Sequence, residues 1–115
     1  MSTTHGLSTH VLDTATGLPA AGMQVRCERN DHGQWKELGG GTTDADGRIK
    51  SVLGAVALAT GHFRLTFATG AWHASRGVKG FFPSVSIEFE VTDAARHHHV
   101  PLLLSPFGYS TYRGS

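Results

Sequence analysis

The chain has 115 residues, ten basic and nine acidic side chains, a formal net charge of +1 and a single cysteine. That length fits one domain, residues 1–115, around one core. The mixed charge offers no footprint for nucleic acid or anionic lipid, and a lone Cys27 excludes an intrachain disulfide framework.

No apolar run approaches the ~20 residues that cross a bilayer. The segment from Met1 to Gly6 lacks the basic and apolar parts of a signal peptide, and no Ser-Lys-Leu tripeptide closes the sequence. A soluble cytoplasmic domain is expected, with no nucleic-acid or membrane partner. Eight histidines are many for a chain of this size, and they are the first hint of chemistry.

The elements follow one another as short strands separated by glycine. Leu7 to Asp13 reads as a strand that ends in a Gly- and Pro-containing turn over Thr14 to Pro19. Met23, Val25 and Cys27 alternate with Gln24, Arg26 and Glu28, the period of a half-buried strand. Asp31-His32-Gly33 is a hairpin turn into a strand over Gln34 to Leu38. Gly39 to Gly47 reads as a polar loop whose exit places Arg48. Ser51 to Ala59, interrupted by Gly54, is apolar but of ambiguous type.

Alternation resumes with Phe63, Leu65 and Phe67. Gly70 to Gly77 is the one credible helix, closed by Phe81-Phe82-Pro83. Val85, Ile87, Phe89 and Val91 alternate with polar residues as the cleanest strand, followed by His97 to Ser105 and Phe107 to Arg113. Seven or eight strands and one short helix predict an all-β, antiparallel β-sandwich.

The strand from His97 to Ser105 departs from the half-buried pattern. His98, Val100, Leu102 and Leu104 share one face, while His97, His99, Pro101 and Leu103 share the other. Apolar residues on both faces imply that the outer one is covered, most simply by another subunit. The closing Tyr112-Arg113-Gly114-Ser115 adds a phenol, a guanidinium and a hydroxyl beside this strand, more hydrogen-bonding capacity than a fraying tail uses.

Several chemistries fit the histidines. His97-His98-His99 could hold a metal, but only His97 and His99 share a face, and no carboxylate or cysteine is in step. His97 and His98 are otherwise expected at the strand edge in solvent. His10 and His99 with Arg48 would supply two imidazoles and a fixed cation, enough for acid–base chemistry on an anionic planar substrate. No Gly-x-Ser-x-Gly elbow occurs, and Cys27 falls on the apolar phase of its strand. These residues alone leave a hydrolase and a small-ligand binder open.

Four segments in the right order resemble the transthyretin-like family. They are His10 to Ala20, Asp44-Ala45-Asp46-Gly47-Arg48 with the later Phe81-Phe82-Pro83, and the run from His99 to Ser115. Tyr-Arg-Gly-Ser at the end, with histidine at position 99 and Arg48, resembles the hydrolase branch of that family rather than the hormone-carrier branch. The resemblance implies a transthyretin-like β-sandwich, a homotetramer built as a dimer of dimers, and hydrolysis of the small molecule 5-hydroxyisourate.

It also implies His10, Arg48 and His99 as catalytic residues, with Tyr112 and Ser115 beside them against the substrate, and no metal or organic cofactor. The alternative is a non-enzymatic carrier of aromatic, thyroid hormone-like ligands. His98 stands where the family usually has tyrosine or phenylalanine, and His73 where a second aromatic is expected.

Overall fold

The computed structural model describes residues 6–115. In chain order these form β1 (Leu7–Asp13), β2 (Leu18–Pro19), β3 (Gln24–Asp31), β4 (Gln34–Thr42), β5 (Arg48–Ile49), β6 (Gly61–Phe67), α1 (Thr69–Ser75), β7 (Val85–Val91), β8 (His98–Ser105) and β9 (Gly108–Thr111). One sheet runs β2-β1-β8-β9 with β5 also on β1, and the other runs β4-β3-β6-β7. The fold is the expected β-sandwich with one short helix. Its ladders are antiparallel except for β1 and β8, which run parallel.

The inner faces close on a core in which Leu7, Val11, Met23, Leu65, Phe67 and Leu102 are wholly inaccessible to solvent. Each such side chain contributes roughly 1.5–3 kcal/mol relative to exposure. Leu65 and Phe67 keep the period-2 phase that places them inward, and Arg64 on the opposite phase turns out to pair with Glu28 at 2.7 Å. Trp72 of α1 is fastened from the side, its indole N–H donating to the Ala21 carbonyl at 2.7 Å.

Four local expectations change. Gly39, Gly40 and Gly41 are not loop but the end of β4, after a bulge that shifts the register between Cys27 and Glu28. The backbone of Val52 leaves no room for a Cβ at Gly39, and that of Val25 leaves none at Gly40. Leu18 and Pro19 are not only turn, since they pair with Asp13 and Leu12. The last strand is shorter than expected and stops at Thr111.

His98 is not in solvent: it is 4% exposed. Its Nδ1 donates to the Arg96 carbonyl at 2.8 Å, a local partner that makes burial of the ring tolerable. The outer face of β8 is also partly covered by the chain itself. Pro101 is buried, while His99 and Leu103 are half-buried.

Candidate active site

The parallel β1–β8 ladder builds the site. Its register sets Ser8 opposite His99 and His10 opposite Pro101. The antiparallel β1–β5 pairing then sets His10 opposite Arg48. Because side chains alternate along a strand, Ser8 and His10 project from the outer face of β1 while Leu7, Thr9 and Val11 serve the core.

Arg48 is held by the turn that precedes it. Asp44 accepts at Oδ1 from the backbone N–H of Asp46 and of Arg48, both at 2.9 Å. Gly47 adopts φ +75°, a conformation in which a side chain is strained, and its carbonyl accepts from the Val11 N–H at 2.8 Å. The Asp-Gly turn is thereby tied to β1, and Arg48 leaves it beside His10.

The histidines meet at a serine. Ser8 Oγ lies 2.8 Å from His97 Nε2 and 2.7 Å from His99 Nδ1. The chain's end closes over the same ring, for the Gly114 N–H donates to the His99 carbonyl at 2.8 Å. Gly114 packs so tightly on the His99 imidazole that a Cβ there would lie 3.1 Å from Cγ and closer still to Cδ2.

An open cavity of about 530 Å³ results, walled among others by Ser8, Arg48, Lys50, His97, His99 and Ser115. Two cationic side chains, Arg48 and Lys50, and one carboxylate, Asp46, line it, so positive side chains outnumber negative ones. Burial is the main cause holding the His10 and His99 imidazoles below the ordinary value of 6.5, and the Arg48 guanidinium adds to it in both. His10 and His97 depress His99 further. Both rings are therefore neutral near pH 7, with a nitrogen able to take a proton.

Of the residues singled out in the sequence, His99, Arg48 and Ser115 wall this cavity. His10 does not wall it within one chain but joins the cluster through its register with Arg48 and its electrostatic coupling to His99. Tyr112 does not wall this cavity: it is 57% exposed and lines a smaller concavity with Phe89, Arg113 and His99, which lines both.

Sequence reasoning overlooked Ser8, Lys50, Gly114 and any bond for His97. Ser8 shares the strand phase of His10, and that was the available signal. Cys27 is buried and its thiol is pushed up to about 12, chiefly by burial and then by Glu28, so it is no nucleophile. Among the described residues no three His, Cys, Asp or Glu side chains converge as metal ligands, and no helix is long and apolar enough to cross a membrane.

Comparison with known proteins places this chain among relatives. A family model described as the HIUase/Transthyretin family matches residues 7–114. A 5-hydroxyisourate hydrolase of Salmonella dublin is 47% identical over 109 residues, covering 95% of this chain and 80% of that protein. The structure of Klebsiella pneumoniae 5-hydroxyisourate hydrolase superimposes with a TM-score of 0.84 at 42% identity, over 95% of this chain and 98% of that one. Sea bream transthyretin in complex with thyroxine gives 0.88 at 29% identity, over 94% and 93% of the two chains.

Proposed function

The chain belongs to the HIUase/transthyretin family, and on that premise we propose that it hydrolyses 5-hydroxyisourate to 2-oxo-4-hydroxy-4-carboxy-5-ureidoimidazoline, using His10, Arg48 and His99. The observation that carries this reading is the juxtaposition of a neutral, half-buried imidazole, His99, with Arg48 and Lys50 around one cavity. Cations alone would also suit a carrier of thyroid hormone-like ligands, which bear a carboxylate; the imidazole beside them is what favours the hydrolase.

The chemistry follows from these groups. His99 removes a proton from water, whose oxygen attacks the lactam carbonyl carbon. Arg48 holds the negative charge that develops on the carbonyl oxygen. The carbon–nitrogen bond then breaks, the ring nitrogen takes up the proton from His99, and the new carboxylic acid ionises. His10, opposite Arg48 in the β1–β5 pairing, orients the water. The substrate's lactam is already electrophilic, and these groups supply the proton transfer and charge stabilisation without a cofactor.

Ser115 contacts the substrate from the cavity wall. Tyr112 is assigned to a site completed by a second subunit, since its exposed ring is free to meet one. We assign the working form as a homotetramer, a dimer of dimers, that covers the half-buried Leu103 and the exposed Tyr109.

The test is direct. With 5-hydroxyisourate freshly generated from urate, its ultraviolet absorbance should decay faster with the protein than without it. His10→Ala, Arg48→Ala and His99→Ala should each lower kcat/KM by on the order of 10²-fold. Decay at the spontaneous rate with the unaltered protein would reject the hydrolase in favour of the carrier.

A further inference from the structure

We propose that Ser8 and His97 are positioning residues that hold neutral His99 as its Nδ1–H tautomer, leaving Nε2 as the base; this rests on the hydrolase reading above. Ser8 Oγ touches two imidazole nitrogens, His97 Nε2 at 2.8 Å and His99 Nδ1 at 2.7 Å. A hydroxyl carries one hydrogen, so it donates to at most one of these rings. Where Ser8 spends that hydrogen on one of the two rings, the chain of bonds runs in one of two directions.

In the first, His97 Nε2–H donates to Ser8 and Ser8 donates to His99 Nδ1. His99 then carries its own proton on Nε2 and has no basic nitrogen left. In the second, His99 Nδ1–H donates to Ser8 and Ser8 donates to His97 Nε2. His99 Nε2 is then unprotonated and can accept the proton of water. Base catalysis by His99 requires the second direction. It also survives the proton transfer, because the imidazolium still donates from Nδ1 to Ser8.

The serine oxygen acts here as a carboxylate does in a hydrolytic triad, fixing tautomer and ring angle. His97 makes it a better acceptor by engaging its hydrogen. Its own remaining nitrogen lies at the surface, where solvent satisfies it, since His97 is exposed. Gly114 presses on the opposite side of the His99 ring, so the ring is gripped at Nδ1 by one contact and along Cδ2 by another.

Side-chain nitrogen-15 NMR of the full-length protein reads the tautomer without any substrate. We expect neutral His99 protonated at Nδ1 in the parent chain and at Nε2, the form favoured by free imidazole, in Ser8→Ala. In steady-state assays Ser8→Ala should lose roughly tenfold or more in kcat while KM stays within about twofold. Ser8→Thr, which keeps the hydroxyl, should restore both the tautomer and most of kcat.

An Nε2–H tautomer in the parent chain would overturn the proposal even if the protein is a fully active hydrolase. So would an unchanged kcat in Ser8→Ala. Loss of the hydrolase reading shows itself separately, as a parent protein that does not accelerate 5-hydroxyisourate decay.

Discussion

Replacing Gly114 by alanine should nearly abolish activity while leaving the sandwich folded. The added Cβ would stand 3.1 Å from His99 Cγ and 3.2 Å from His99 Cβ, and nearer still to Cδ2. Two routes relieve the clash. The ring can turn and lose the 2.7 Å contact of Nδ1 with Ser8. Alternatively the tail lifts away and breaks the 2.8 Å bond from the Gly114 N–H to the His99 carbonyl.

Lifting the tail is the cheaper route. It forfeits one backbone hydrogen bond, about 0.5–1.5 kcal/mol, whereas overpacking within a fixed interior costs about 1–3 kcal/mol. Tyr112, Arg113 and Ser115 are exposed, so little buried surface is lost with it. A loss of about 1 kcal/mol lowers Tm by roughly 4 °C in a domain of this size.

Catalysis suffers more, because either route displaces a group at the site. A misplacement of about 1 Å costs on the order of 10²-fold in rate. Circular dichroism melting and the ultraviolet assay on the same preparation separate the two effects. Removal of Tyr112–Ser115 should reproduce the result. A Gly114→Ala protein within about twofold of the parent in kcat/KM, or full activity in a chain ending at Thr111, would refute the reasoning.

Three further outcomes follow from the charges. His10 and His99 both have pKa values held below 6.5, first by burial and then by Arg48, so the acid limb of kcat/KM should have its midpoint below pH 6.5. Arg48→Met should move the His99 NMR titration upward; a downward move would contradict the assigned cause. The folded chain also binds fewer of these protons than the unfolded one just below pH 6.5, so this contribution to stability is present above that pH and lost as pH falls through the window. A second melting experiment concerns His73, which is 3% exposed with neither ring nitrogen partnered among the described residues. His73→Phe should remove a burial cost of roughly 1–3 kcal/mol and raise Tm while keeping an aromatic ring against Trp72; a lower Tm would mean that the imidazole has a role the packing does not show.

The strands were legible in the sequence because burial of one sheet face imposes a period of two, and Val85 to Val91 or Phe63 to Phe67 show it without interruption. Where the period failed, so did the reading. Gly39 to Gly41 lack side chains to alternate, and the backbones of Val52 and Val25 pack against the first two of them. His98 shares the inward phase of Val100 and Leu102, and the expectation of a solvent edge gave too little weight to that phase.

The amino-acid sequence by itself determined the class of fold, the inward and outward faces, and the presence of imidazoles and a guanidinium suited to acid–base chemistry. Which of them meet was decided by tertiary structure alone. Ser8 and His99 are separated by 91 positions and become neighbours only because β1 and β8 pair in parallel in one register. A slip of one residue would turn His99 to the other face. Gly114 is likewise an unremarkable glycine until the chain's end folds onto the His99 ring. Local periodicity is written in nearest neighbours along the chain, but pairing between distant strands is chosen by the burial of the whole core, and that choice is what assembled the site.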